Sequence, residues 1–81
     1  MSKQIRVRYF AFLREERGCS EETVVTAALT AGELYDELRA AHGFTLPQAR
    51  LRAALNDAFV PWAQPLAEGD SLVFIPPVAG G

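Results

Sequence analysis

Of the side chains that do chemistry in proteins, this 81-residue sequence offers one histidine, His42, and one cysteine, Cys19. Nothing in their spacing fixes them beside each other, so no nucleophile–base pair is written in the sequence. His42 reads as a residue of a helix's last turn, where a protonated imidazole favours the negative end of the dipole. Cys19, between Gly18 and Ser20, reads as an incidental loop thiol. A single cysteine rules out an internal disulfide framework, a Cys-only zinc site and a four-Cys iron–sulfur cluster. The carboxylates Glu15, Glu16, Glu21 and Glu22 flank turns and read as solvated charge. There is no phosphate-cradling glycine loop and no H-E-x-x-H. No metal, no permanently bound cofactor and no active site within the chain are expected.

The chemistry that remains is in the last six residues, Pro76, Pro77, Val78, Ala79, Gly80 and Gly81. Two glycines without Cβ atoms predict a thin, extended arm. Its only functional group is the α-carboxylate of Gly81. Such an arm can thread a narrow channel in another protein and present that carboxylate to a reagent. A carboxylate becomes reactive when ATP converts it to an acyl-adenylate, from which a sulfur or nitrogen nucleophile displaces AMP. Pro76 and Pro77 lack N–H donors and favour an extended Ile75, so a sheet must release the chain there.

The elements that position this arm fit one small domain, residues 1–75, followed by the tail, 76–81. A chain of this length buries roughly 60–65% of its unfolded surface, so the core is thin. Hydrophobic residues make up 49% of the chain, enough for a globular fold. A net charge of −2 and a pI near 5.2 give no electrostatic reason to expect nucleic acid or an anionic membrane. The longest apolar run near the start, YFAFL, is too short for a secretory h-region, and no stretch approaches a membrane span. A soluble, cytoplasmic protein is expected.

Alternation predicts a first strand over residues 5–13, with Ile5, Val7, Tyr9 and Ala11 on the core face. Arg6, Arg8, Phe10 and Phe12 fall on the other. Aromatics beside arginines on an open face have the composition of a partner-binding patch, unless a bulge or loop covers them. REERG, 14–18, is a charged turn or a short helical piece, and a second strand around residues 23–25 completes a hairpin. Residues 30–42 form the main helix. Thr30 and Glu33 fit a capping box, Leu29 and Leu34 a hydrophobic staple, and Gly43 the C′ position. Leu34, Leu38 and Ala41 supply the stripe that faces the sheet. A third strand spans 51–56, Asn56-Asp57 turns the chain, and residues 58–60 return. Leu72 and Phe74 of the last strand, SLVFI, face the core, while Val73 and Ile75 face out. With the helix as crossover, the last strand can pair parallel with the first. The order β-β-α-β-β-β is that of a ubiquitin-like β-grasp roll: α+β, a mixed sheet with one main helix across it.

VRYFAFLRE, LRAALND and PLAEGDSLVFIPPVAGG together resemble the small-subunit family of molybdopterin synthase, the sulfur-carrier members of the ubiquitin-like β-grasp group. The likeness spans essentially the whole chain, and P-P-V-x-G-G after a G-D-x-apolar strand is its most specific part. Phe12 departs from it, standing where a polar residue would be equally at home. The resemblance implies that an activating enzyme consumes ATP to adenylate Gly81, and that a persulfide system converts it to a thiocarboxylate. It implies transfer of that sulfur to cyclic pyranopterin monophosphate in the large subunit, which holds the catalytic lysines. It also implies a heterotetramer of two small and two large subunits. By position, the surface that docks both partners includes Phe10, Phe59 and Ile75.

Two other readings stay open. One is a carrier for thiazole synthesis or tRNA thiolation, or a ubiquitin-like modifier of proteins; these share the Gly-Gly end but usually lack Pro-Pro-Val. The other is a β-grasp binding module with an inert tail.

Overall fold

A computed structural model describes residues 2–76 of the chain. Five strands and two helices follow in the order β1 (Lys3–Tyr9), α1 (Phe12–Arg17), β2 (Glu21–Thr26), α2 (Ala31–His42), β3 (Arg52–Leu55), β4 (Ala58–Val60) and β5 (Ser71–Ile75), with a 3-10 turn at Gln48–Arg50 before β3. The strands form one mixed sheet in the order β2-β1-β5-β3-β4. The last strand sits at its centre, parallel to β1 and antiparallel to β3. This is the β-grasp arrangement expected from the element order. Pro77, Val78, Ala79, Gly80 and Gly81 lie outside the described residues, and with them all but the first residue of the tail.

One face of the sheet is closed by α2. Ile5, Val7 and Tyr9 of β1, Leu72 and Phe74 of β5, and Leu34 and Tyr35 of α2 are all fully buried. Tyr35 meets the Phe74 ring edge-on at 5.0 Å and stacks near Phe44 at 6.1 Å, an aromatic packing that fills much of a thin core. The Tyr35 hydroxyl donates to the Leu46 carbonyl, so its one polar atom is satisfied. The start of α2 follows its sequence signature: the Thr30 hydroxyl accepts from Glu33 N–H at 3.2 Å. Gly43 ends the helix at φ 71°, with its N–H on the Arg39 carbonyl.

Three expectations fail in instructive ways. The first strand stops at Tyr9, because Ala11 adopts φ 52° and ψ −123°. That is the geometry of the first central residue of a type II′ turn, closed by Leu13 N–H donating to the Phe10 carbonyl at 3.1 Å. The turn breaks the alternation, so Ala11 is exposed, Leu13 is buried, and Phe12 begins a helix instead of extending a strand. The staple is not formed: Leu29 is 66% exposed. Its N–H is held by the Glu33 carboxylate and its carbonyl by Leu66 N–H, an arrangement that leaves its side chain outside. Ala41 also faces solvent, and Ala31 and Tyr35 complete the buried stripe with Leu34 and Leu38.

Glu22 and Glu16 are not simply solvated. Glu22 is gripped by the Arg17 guanidinium through two bonds of 2.8 Å and accepts from the Tyr9 hydroxyl at 2.6 Å. Glu16 accepts from the N–H and hydroxyl of Thr45, tying α1 to the loop after α2. Arg17, with a smaller contribution from the Tyr9 hydroxyl, holds the Glu22 carboxyl below the usual carboxylate range. Burial first, then Glu22, pushes the Tyr9 phenol far above its ordinary value.

Candidate functional site

Among the described residues no helix covers the other face of the sheet, and strand register decides which side chains meet there. Arg8 of β1 pairs with Val73 of β5, Val73 with Ala54 of β3, and Ala54 with Phe59 of β4. These four therefore form one row across the open face. One step along, Ile75 pairs with Arg52. Phe10 follows β1 directly, where the II′ turn holds it at the end of the strand. The β3–β4 hairpin fixes the far end of the row: Asn56 and Asp57 both have positive φ, 49° and 73°, as a two-residue type I′ turn requires. Asn56 also exchanges backbone and side-chain hydrogen bonds with Ser71, locking that hairpin to the start of β5.

These residues line a shallow depression formed by Arg8, Phe10, Ala54, Asp57, Phe59, Val73 and Ile75. Phe10 is 40% exposed and Phe59 60%, while Ile75 is half-buried. The three residues singled out in the sequence thus share one depression, although they come from the end of β1, from β4 and from β5. Ile75 is the last residue of β5 and Pro76 follows it, so the tail departs from the rim of the depression. Phe12, 64% exposed on α1, is not part of the lining.

Two arginines frame the apolar floor. The Arg52 guanidinium carbon sits 4.3 Å from the centre of the Phe59 ring, and that of Arg8 lies 5.7 Å from the centre of Phe10. Both distances fall within the range of cation–π attraction. Arg52 and Ala54 are site residues that the sequence alone does not single out. The alternation of Leu51, Ala53 and Leu55 turns both outward, but only the pairing of β3 with β4 and β5 puts them beside Phe59 and Ile75.

Little else among the described residues could do chemistry. Among the described residues, no three His, Cys, Asp or Glu side chains come together as metal ligands would. No helix among them is long and apolar enough to cross a membrane. Cys19 is half-buried against the core. What the open face can do is present an apolar, aromatic floor with cationic edges, next to the point where the chain leaves the sheet.

Comparison with known proteins bears on that arrangement. The model of the ThiS family matches residues 7–81. The molybdopterin synthase sulfur carrier subunit of Escherichia coli is 36% identical over 81 residues, covering 95% of this chain and 99% of that protein. A solved structure of a putative molybdopterin converting factor subunit 1 from Pyrococcus furiosus superposes with a TM-score of 0.78 at 26% identity, covering 94% of this chain and 99% of that one. Another, from a complex of subunits 1 and 2 of the molybdopterin-converting factor of Helicobacter pylori, superposes at 0.65 with 29% identity over 96% and 99% of the two chains.

Proposed function

The chain belongs to the ThiS family, and from that premise we propose that it is the sulfur-carrier small subunit of a molybdopterin synthase, acting in molybdenum cofactor biosynthesis. The observation that supports this most is positional. Phe10, Phe59 and Ile75 gather in one exposed depression, and the last of them hands the chain to Pro76. A partner seated on the depression is therefore placed to receive whatever the tail carries.

In this reading the Gly81 carboxylate attacks the α-phosphorus of ATP on an activating enzyme and pyrophosphate leaves. The outer sulfur of a persulfide displaces AMP from the acyl-adenylate to give an acyl disulfide. A second thiol then attacks the donor's sulfur, forming a disulfide with it and releasing the thiocarboxylate. In the large subunit the sulfur passes to cyclic pyranopterin monophosphate, and water restores the carboxylate. ATP is consumed by the partner and is not a resident cofactor. The small subunit supplies reach and docking: Gly80 and Gly81 have no side chain to obstruct a channel, and Val78 and Ala79 add little bulk. The assembly is two small and two large subunits, in the cytoplasm.

The test is intact-mass measurement of the chain after incubation with ATP, an activating enzyme and a sulfur source, with fragmentation to locate any change. Replacement of one oxygen by sulfur at Gly81, trapped by alkylation, is the expected result; alkylation separates it from oxidation of Met1 or Cys19, which has nearly the same mass. An unmodified Gly81 beside a demonstrably active enzyme overturns the reading. Covalent adducts on lysines of other proteins would favour a modifier instead.

A further inference from the structure

The arginines of the open face differ from those tied into the fold. Arg17 is committed to Glu22, and Arg39 donates to the Phe44 carbonyl. Among the described residues, the guanidinium groups of Arg8 and Arg52 have no hydrogen-bond acceptor, and the one ion pair is Arg17–Glu22. Each instead lies against an aromatic ring of the depression. An arginine stacked in this way uses the π-face of its guanidinium and keeps its N–H edges available for a carboxylate. Stacking also limits the side-chain freedom that pairing would remove, so less entropy is lost when a partner arrives.

A purely apolar partner fits this surface badly. Covering Phe10 and Phe59 would also cover the two guanidinium groups, and burial of an unpaired charge is strongly unfavourable. The partner must supply acceptors where the arginines are. Asp57 lines the same depression, and Glu21 stands opposite Arg8 in the β1–β2 register, but neither comes within ion-pairing distance of these arginines. The net charge of −2 disfavours a partner that is acidic all over, so the complementary carboxylates have to be local.

We propose that the open-face depression selects a protein partner that surrounds an apolar contact with carboxylates placed to pair with Arg8 and Arg52. These two residues then act as specificity determinants beside the aromatic anchors Phe10 and Phe59. The proposal rests on the sulfur-carrier reading, in which the partner is the large subunit of the synthase.

The experiment is calorimetric titration of the full-length chain with the purified large subunit from the same source, at salt concentrations from about 50 to about 500 mM. Wild type, the double variant Arg8→Gln/Arg52→Gln and the double variant Arg8→Glu/Arg52→Glu are compared, with Phe59→Ala as control. The wild-type affinity is expected to fall as salt rises. The Gln pair should bind about tenfold more weakly at low salt and lose most of the salt dependence, and the Glu pair should bind at least about a hundredfold more weakly. Phe59→Ala should weaken binding while keeping the wild-type salt slope. A Gln pair with wild-type affinity and slope overturns this proposal and leaves the sulfur-carrier reading intact. A wild-type chain that fails to bind the large subunit at any salt overturns both. Thermal melting of each variant alone separates lost docking from lost folding.

Discussion

Phe74 and Phe59 belong to one sheet but face opposite sides of it. Phe74, on β5, points inward, is fully buried, and meets Tyr35 and Trp62 at 5.0 and 6.0 Å. Phe59, on edge strand β4, points outward, is 60% exposed, and carries the Arg52 guanidinium over its ring. The residue type is the same; strand parity and the presence of α2 on one side make the difference. A thin core cannot spare large apolar side chains, so those left outside together, beside arginines with no ion-pair partner among the described residues, ask for a different explanation from packing.

The inner face is the place to break this contrast first. Phe74→Ala should cost about 3–5 kcal/mol of unfolding free energy. A domain of this length has on the order of 4–12 kcal/mol in total, so the variant should be close to unfolded at 37 °C. Chemical denaturation followed by circular dichroism measures it; a loss below about 1 kcal/mol would show that the ring is not part of the core.

The outer face should respond in the opposite sense. Phe59→Ala and Phe10→Ala should leave stability within about 0.5 kcal/mol of wild type, yet weaken docking to the large subunit by about thirtyfold, as expected for aromatic anchors. A large fall in melting temperature would mean that the outer face is structural after all. Deleting Gly81 sharpens the contrast further: docking should survive while sulfur transfer is abolished. That separates the surface from the reagent it delivers.

How far the sequence discloses this contrast depends on the range of the interaction concerned. Parity along β1 and β5 is local, so Ile5, Val7, Leu72 and Phe74 read correctly as inward and Phe10, Val73 and Ile75 as outward. Thr30, Gly43 and Asn56-Asp57 mark their boundaries by local backbone chemistry. Phe59 sits on a strand of three residues, too short for a pattern, and only likeness to known carriers singles it out. Its neighbourhood with Ala54 and Arg52 is a matter of register, set by the I′ turn and by β5 lying between β1 and β3. The Tyr9–Glu22–Arg17 cluster joins the end of β1 to α1 and β2, and no alternation or spacing rule reports it. The chemistry expected of the tail rests on its terminal Gly80-Gly81 and on the family resemblance, and both residues lie outside those described.

That cluster gives a smaller, pH-dependent effect, confined to the domain's own stability. The folded Glu22 carboxyl ionises below its unfolded value, near 4.3 for a free glutamate. Its contribution is therefore complete above about pH 5 and is lost as pH falls through the folded value. Glu22→Gln should lower the melting temperature at pH 7 and flatten the decline on acidification. Partner docking at neutral pH should be unchanged, because Glu22 faces Tyr9 and Arg17 and not the depression. Melts of both proteins between about pH 7 and about pH 3 test this; parallel curves would remove Glu22 from the acid response.

The smallest effect concerns the hinge between the two faces. Ala11 occupies a backbone region that suits glycine, and this turn decides that Phe10 ends the strand on the open face while Leu13 turns inward. Ala11→Gly should relieve steric strain between Cβ and the backbone, at the cost of a more flexible unfolded chain. At positive φ the relief of strain outweighs that entropy, so the expected net gain is about 1 kcal/mol. In a domain of this size that raises the melting temperature by about 4–8 °C. Docking affinity should stay within about twofold, since Phe10 keeps its place. If Ala11→Gly instead destabilises, the entropy gained by the unfolded chain outweighs the strain at this turn. The hinge is then held by the Leu13 N–H bond to the Phe10 carbonyl and the burial of Leu13, at little conformational cost to Ala11.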